Sequence, residues 1–129
     1  MAEMSNYLEN ALINATLRNT SYTSVATIYV ALYTADPTDA DLTANEVIGG
    51  SYARTSVTFA APSNGVSLSS ADVTFPTCTA GWGTVTHIGL RDASTAGNLL
   101  YHTPLDTSKT IDTGDIFKIS TGNLSVTLA

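Results

Sequence analysis

Charged residues are scarce in this sequence, and basic residues are the scarcest. Charged side chains make up 12% of the 129 residues, with five Lys and Arg against eleven Asp and Glu, for a net charge of −6. The basic residues stand singly, whereas a surface that neutralises phosphates needs several together. A polybasic segment that would attract the chain to anionic lipid is also missing. We therefore expect neither nucleic acid nor a membrane among the partners.

Cysteine and long apolar runs are equally rare. The single cysteine, Cys78, excludes a disulfide within the chain, and its apolar, threonine-rich surroundings are typical of a buried structural thiol. Residues 1–17 contain no basic region and no run of about 20 apolar residues. We expect no signal peptide and no transmembrane segment, and assembly inside the producing cell.

Short alternating segments are what the sequence has in abundance. Hydrophobic residues make up 43% of the chain, and its length suits one domain, residues 1–129. Roughly six to nine strand-like segments are separated by turn signals about every eight to twelve residues. One helix is predicted at residues 5–18, capped by Ser5. We predict a mostly-β fold, an antiparallel β-sandwich of jelly-roll or immunoglobulin-like type with this N-terminal α-helix.

Three segments give more detailed predictions about the strands. TIYVALYT, residues 27–34, is apolar on both faces and predicts a central strand. Asn64-Gly65 predicts a hairpin turn, followed by a short edge strand at residues 66–68. Pro104 is expected to end a strand that begins at residue 99, because proline cannot donate a ladder hydrogen bond.

Residues 72–93, DVTFPTCTAGWGTVTHIGLRDA, contain the rarest residue types. The only tryptophan, Trp82, lies in a Gly-Trp-Gly corner between two alternating runs. The glycines allow a sharp connection, and the indole is large enough to plug one end of a core. We interpret this stretch as the central hairpin of the sandwich, with a structural role rather than a catalytic one.

The sequence shows no arrangement typical of catalysis. It lacks a Gly-x-Ser-x-Gly motif, and neither His87 nor His102 has a neighbouring nucleophile pattern. The two histidines are not spaced as a ligand pair, and with one distant cysteine they are a weak zinc signal. We predict that the protein is not an enzyme and binds no cofactor and no metal. A small hydrolase or lectin-like domain using His87 or His102 stays open as an alternative.

Residues 35–46, ADPTDADLTANE, predict an acidic, turn-rich loop in solvent. Asp36, Asp39 and Asp41 offer oxygen ligands for calcium, but their spacing lacks the EF-hand pattern. We favour the solvated loop and leave calcium binding open. Arg54, in the strand-like segment at residues 51–59, is expected to form an ion pair with an acid of this loop or to be a solvated charge, rather than to clamp a substrate.

Six segments carry a family resemblance because they occur together and in order. They are SNYLENALINATLRNTSYT, YVALYTADPTDAD, EVIGGSYART, FPTCTAGWGTVTHIGLRDA, NLLYHTPLDTSKTIDTGD and NLSVTLA. Over nearly its whole length the chain resembles a family of small tailed-bacteriophage virion proteins, labelled tail-fibre-like or minor structural proteins. The most specific parts are ADPT, GGSYAR, GWGTVTH and TGD. The resemblance implies a structural role in the virion and brings no catalytic motif.

Two roles in a virion follow as alternatives. We place first a capsid decoration (cement) protein that binds and stabilises the assembled head, anchored by its helix or by residues 1–4. The alternative is a tail or head fibre component that contacts the host surface. The partners would be the major capsid protein or tail proteins and further copies of the chain, for example in a trimer. The protein would reside in the virion after assembly in the host cytoplasm.

The interaction surface is expected on the helix, the acidic loop and the exposed tyrosines, since aromatic rings are common anchors at binding sites. The candidate interaction residues are Tyr7, Leu8, Leu12, Tyr33, Asp36, Asp39, Asp41, Tyr52, Arg54 and Tyr101.

Overall fold

A computed structural model describes residues 2–128, in which the chain forms one α-helix and nine β-strands. The elements are β1 (Glu3–Met4), α1 (Asn6–Leu17), β2 (Ile28–Tyr33), β3 (Thr55–Val57), β4 (Val66–Leu68), β5 (Val73–Thr74), β6 (Gly83–Arg91), β7 (Leu99–Ile111), β8 (Lys118–Ile119) and β9 (Ser125–Thr127). A short 3₁₀ helix, Thr43–Asn45, lies between β2 and β3. The predicted mostly-β class with one N-terminal helix is confirmed. Residue 1 of the expected anchor lies outside the described residues.

The strands pair in antiparallel fashion and form two layers. Five strands make one sheet in the order β1-β7-β6-β2-β3, while β4 pairs with β9 and β5 pairs with β8. Side chains from both layers meet in one core, which includes Val30 and Leu32 of the large sheet and Phe75, Phe117 and Leu124 opposite. The antiparallel pairing is as predicted, and the arrangement is sandwich-like, with the strands opposite the large sheet divided into two short pairs and the sheets not closed.

Strand β2 lies inside the large sheet, between β3 and β6, as its two apolar faces predicted. Val30 and Leu32 enter the main core on one face, whereas Ala31 and Tyr33 pack with Leu99 on the other. All four of these β2 side chains are completely buried. The second face of the sheet therefore also has a cover, and the ion pairs described below form part of it.

The predicted turn at Asn64-Gly65 is confirmed. Both residues have positive φ, +52° and +78°, as the favoured two-residue hairpin turn requires. The backbone groups of Ser63 and Val66 bond across the turn. The edge strand predicted at residues 66–68 follows directly as β4.

The prediction of a central hairpin at residues 72–93 is wrong. β5 pairs with β8, whereas β6 pairs with β2 and β7, so the two strands of this stretch belong to different sheets. Trp82 is nevertheless the buried plug that its size indicates, because it is only 5% exposed. Its indole N–H donates to the carbonyl of Gly50 at 2.9 Å. A Cβ at Gly50 would lie 2.1 Å from the Ala80 oxygen, so this close approach requires glycine.

Strand β7 continues through Pro104, which the sequence predicts as its end. Pro104 lies opposite His87 of β6. The other edge of β7 pairs with β1, but only at Tyr101 and His102. In the ladders of the described residues, that edge of β7 is therefore unpaired at Pro104. An edge position tolerates proline because that side has no ladder hydrogen bond to lose.

Helix α1 is held mainly at its N-terminal end. The Ser5 hydroxyl accepts from the amide of Leu8 at 3.2 Å and donates to the carbonyl of Leu99, so the predicted cap also ties the helix to β7. Leu8 is the one buried residue of the helix. Ile13 and Leu17 are 53% and 78% exposed, so much of the apolar surface of the helix faces solvent.

Candidate interaction surface

The acidic loop, residues 35–46, is attached to the sheet rather than solvated along its length. Three of its acidic side chains pair with nitrogen groups that are themselves almost completely buried, and the pairs are Asp39–His102, Asp41–Arg91 and Glu46–Arg54. The last pair confirms the partner expected for Arg54. The prediction of a solvated loop is wrong for Asp41 and Glu46, whose side chains are 24% and 12% exposed and bind arginines, whereas Asp39 keeps 46% of its side chain exposed. Asp36 does face solvent, with its side chain 53% exposed.

Arg91 is the most deeply buried of these nitrogen groups, with a side chain only 1% exposed. Its guanidinium donates to both oxygens of Asp41, at 2.6 and 2.9 Å, and to the Tyr33 hydroxyl at 3.0 Å. Burial alone would lower the pKa of Arg91, but the hydrogen bonds to Asp41 and Tyr33 raise it above its ordinary value. The arginine therefore stays charged, and it fixes the acidic loop on the second face of the sheet.

Glycine at position 89 allows Tyr33 to reach Arg91. A Cβ at Gly89 would lie 2.7 Å from the Leu99 side chain and 2.9 Å from the Tyr33 ring. The Tyr33 ring thus occupies the space beside Gly89, and a side chain at position 89 would displace the ring. Burial raises the pKa of Tyr33, although the hydrogen bond from Arg91 opposes that shift.

The Arg54–Glu46 pair connects two loops. The guanidinium donates to both oxygens of Glu46 at 2.8 Å, and also to the carbonyls of Ala93 and Ala96 at 3.0 and 2.8 Å. Tyr52 adds a third donor to the carboxylate at 2.6 Å. Burial would raise the pKa of Glu46, but the hydrogen bonds from Arg54 and Tyr52 lower it below its ordinary value. The carboxylate thus remains ionised and holds both segments together.

His102 lies at the centre of a third group, together with Glu3 and two residues of the acidic loop. Its Nε2 is 2.7 Å from Asp39 Oδ1, while Nδ1 is 3.7 Å from Asp36 Oδ1 and 3.8 Å from Glu3 Oε2. The imidazole is 2% exposed. Strand β1 brings Glu3 into the group because Glu3 pairs directly with His102.

Several residues predicted for the interaction surface are not accessible. Leu8 is 4% exposed and Tyr33 is completely buried, so neither can contact a partner. Arg54 has a side chain 7% exposed. Tyr52 is partly buried, with its ring edge-to-face with Trp82 and its hydroxyl bonded to Glu46. Because a period-two or helical pattern does not say which apolar face packs inward, these residues are indistinguishable in sequence from exposed ones.

Three accessible tyrosines lie near one another beside α1. Tyr7 is 43% exposed, and Tyr22 and Tyr101 are partly exposed. Burial raises the pKa of Tyr22, and the negative charges that Tyr7, Asp92 and Tyr101 carry when ionised raise it further. We call Tyr7, Tyr22 and Tyr101 the tyrosine surface. Tyr7 and Tyr101 are sequence candidates, whereas Tyr22 was missed because it stands outside any regular element.

A groove of about 520 Å³ runs between the second half of β7 and residues 115–120. Asp106, Lys109 and Lys118 lie on its lining together with apolar side chains. None of the residues predicted for the interaction surface contributes to it. A turn at residues 112–115 joins its two walls. The concave surface between them depends on how the chain folds back, so it could not be predicted from the sequence.

Arg91 and Glu3 are further residues that sequence reasoning missed. Arg91 stands at the end of a strand beside Asp92, where an arginine is ordinarily solvated. Its actual partner, Asp41, is separated from it by 50 positions, so no local pattern joins them. The signal that was available is the excess of acid in residues 35–46, which makes these residues candidates for pairing with the few basic residues elsewhere in the chain.

The histidines do not form a catalytic arrangement with the side chains described. His87 is hydrogen bonded at 2.8 Å to the hydroxyl of Thr86, its neighbour in the chain. His102 is paired with carboxylates, and Cys78, the one free thiol, is buried and directed toward the Ala80 carbonyl. Among residues 2–128, no helix combines the length and the apolar character that crossing a membrane requires.

Comparison with known protein families identifies a match over most of the chain. A family model described as "Podophage GP4 fiber I protein gp80" matches residues 3–127 of the chain. Among curated proteins, none matches the chain at a significant level. The match covers almost every residue, including the tyrosine surface and all three ion-paired groups, and it agrees with the resemblance to tailed-phage virion proteins.

Proposed function

The chain belongs to the podophage GP4 fiber I protein family, and we propose that it is a non-enzymatic fibre component of a phage virion that contacts the host-cell surface. The family match over residues 3–127 carries this proposal. It favours the fibre alternative over capsid decoration, the role that the sequence analysis places first. A virion fibre protein associates with other virion proteins, so the chain needs one surface for them and another for the host.

The tyrosine surface is our candidate for the contact with the host. Tyr7, Tyr22 and Tyr101 lie close together and remain partly exposed. A phenol ring combines an apolar face with a polar tip and loses little conformational freedom on binding. Such rings suit a carbohydrate, which has apolar C–H faces and hydroxyl groups. The net charge of −6 makes strongly anionic glycans the less favourable targets.

The role in the virion is tested with a phage that lacks this chain. We expect such particles to retain intact heads and to adsorb poorly to the host, and quantitative mass spectrometry of normal particles should give a copy number that fits a set of fibres. Copies as numerous as the shell subunits, with heads that lose thermal stability when the chain is removed, would support decoration and contradict the fibre proposal.

The host contact is tested with the purified chain as a competitor of phage adsorption. We expect the intact chain to reduce adsorption and the double variant Tyr7→Ala, Tyr22→Ala to do so much less. Ile48→Ala is a matched control, because Ile48 is 85% exposed but is not part of the tyrosine surface. Equal competition by the double variant and the control, with unchanged melting temperatures, would show that the tyrosine surface is not the contact.

A further inference from the structure

The group around His102 brings together side chains from three separate parts of the fold. Glu3 comes from β1, Asp36 and Asp39 from the acidic loop, and His102 from β7. Ligand atoms of Glu3, Asp39 and His102 all lie within 4.8 Å of one another. Asp36 Oδ1 approaches the same imidazole at 3.7 Å. Asp41, the third aspartate of the loop, is bound to Arg91 and is not part of this group.

The charges within this group are not balanced. The lysines and arginines with described ion pairs bind other acids, in the pairs Arg54–Glu46, Arg91–Asp41 and Lys118–Asp72. Three carboxylates therefore share one imidazole, and even a protonated imidazole leaves the group negative. Carboxylates brought together in this way repel one another unless a cation neutralises them.

The orientation of the buried imidazole points independently to a cation. Nε2 is placed to donate its proton to Asp39 at 2.7 Å, which leaves a lone pair on Nδ1 of a neutral ring. Nδ1 faces the carboxylate oxygens of Asp36 and Glu3 at 3.7 and 3.8 Å, distances too long for hydrogen bonds. The nitrogen lone pair and the two carboxylates that face it are together suited to bind a metal ion.

The separations also suit a metal ion. Zinc lies about 2.0–2.2 Å from imidazole nitrogen and carboxylate oxygen, so tetrahedral ligands are about 3.4 Å apart. Each carboxylate oxygen would have to approach Nδ1 by a few tenths of an ångström. Asp36 stands outside the set whose ligand atoms all lie within 4.8 Å of one another, so its exposed side chain would also have to turn toward Glu3. The Asp39–His102 hydrogen bond reproduces the carboxylate–histidine–metal arrangement in which an outer carboxylate fixes the tautomer of the ligating ring.

We propose that Nδ1 of His102 and the carboxylates of Glu3 and Asp36 bind one divalent cation of the zinc class, with Asp39 as the positioning residue. A nitrogen donor among oxygen donors favours zinc over calcium and magnesium, which prefer oxygen ligands alone. The ion joins β1 and the acidic loop to β7. It thereby fixes the N-terminal end of α1, which begins two residues after β1.

The test is a zinc titration of the untagged chain by isothermal titration calorimetry near neutral pH. We expect a single ion per chain and weaker binding of calcium and magnesium. Glu3→Gln and Asp36→Asn each remove one ligand from an exposed side chain and leave the Asp39–His102 hydrogen bond in place. Each should weaken zinc binding by at least about tenfold, since even the loss of an outer partner costs about 10–100-fold.

Two further variants control for other modes of binding. Asp106→Asn removes an exposed carboxylate farther along β7, and His87→Gln removes the other imidazole; both should bind zinc like the unchanged chain. The proposal is overturned if the unchanged chain shows no saturable zinc binding, or if Glu3→Gln and Asp36→Asn bind zinc as tightly as Asp106→Asn. Tighter binding of calcium or magnesium than of zinc would equally overturn the assigned donor set.

Discussion

At the scale of single residues, buried charge is the main feature of this protein. Arg91 has a side chain 1% exposed, and its Nε has no hydrogen-bond partner among the described residues. A buried guanidinium is tolerated because Asp41 and Tyr33 supply acceptors on its other side. Removing one member of such a pair destabilises the fold by much more than the intact pair stabilises it.

Trp82→Ala should lower the free energy of unfolding by about 3–5 kcal/mol, the usual cost of emptying an aromatic core position. The indole is almost fully buried and packs edge-to-face on Tyr52 at 5.5 Å. Urea unfolding followed by circular dichroism measures the loss. Trp82→Phe is the matched control, because it retains most of the packing and loses the hydrogen bond to Gly50. A loss below about 1 kcal/mol in the alanine variant would show that the indole is not a core plug.

Glu46→Gln should change how stability depends on pH. The pKa of Glu46 is lowered from 4.5 in the folded chain, so the unfolded chain binds the proton more readily and the carboxylate stabilises the fold above that value. This contribution is lost as the pH falls from 4.5 through the folded pKa. The difference in unfolding free energy between the unchanged chain and the variant should therefore shrink on acidification.

The measurement is a series of urea unfolding curves from neutral pH to well below 4.5. Asp106→Asn, an exposed acid without a described ion pair, serves as the control and should follow the unchanged chain throughout. If the difference between Glu46→Gln and the unchanged chain stays constant over the whole pH range, the hydrogen bonds from Arg54 and Tyr52 do not lower the pKa of this carboxylate.

At the scale of elements, helix α1 is attached to the fold in a way that is unusual for a core helix. Its cap residue, Ser5, and one side chain, Leu8, are buried, while Ile13 and Leu17 are more than half exposed. A helix of 12 residues is marginal by itself in water. Its attachment at one end therefore predicts that the first turn is more stable than the last.

Leu8→Ala and Leu17→Ala should have very different effects, although both remove the same atoms from the same helix. Leu8→Ala should cost about 2–5 kcal/mol because it leaves a cavity beneath the helix. Leu17→Ala should change the free energy of unfolding by less than about 0.5 kcal/mol, as is usual for an exposed position. Chemical denaturation gives both values. Similar losses for the two variants would mean that the C-terminal half of α1 is packed in solution.

At the scale of the whole molecule, both layers share one core. Val30 and Leu32 of the large sheet and Phe75 and Leu124 of the opposite layer belong to the same cluster of buried side chains. The acidic loop is fixed to this body by ion pairs from β6, β7 and the segment before β3. We therefore propose that the chain folds as one domain.

One domain should unfold in one cooperative transition. Fluorescence of Trp82 reports on the core, and far-ultraviolet circular dichroism reports on the strands and on α1. We expect the two urea unfolding curves to coincide within error. Separate midpoints would contradict a single domain, and an earlier loss of the circular dichroism signal alone would show that α1 detaches before the core opens.

The amino-acid sequence alone determined the parts of this protein that depend on local patterns. The run that is apolar on both faces indicated β2, short alternating segments indicated the mostly-β class, Asn64-Gly65 indicated the turn, and Ser5 indicated the helix cap. The order of short segments along the chain was sufficient for the family resemblance. Local rules suffice in these cases because the interacting groups are only a few residues apart.

The tertiary structure alone decided which distant groups meet. Residues 72–93 contain two strands as predicted, but their ladder hydrogen bonds are made with β8, β2 and β7, so only the path of the chain could reveal that they are not a hairpin. Asp41 and Arg91 are 50 positions apart, and Asp39 and His102 are 63 positions apart. The energy of such pairs depends on burial and distance, which are properties of the folded chain. For this reason the acidic residues look solvated in the sequence, whereas in the folded chain Asp41 and Glu46 pair with buried arginines and Asp39 bonds to a buried histidine.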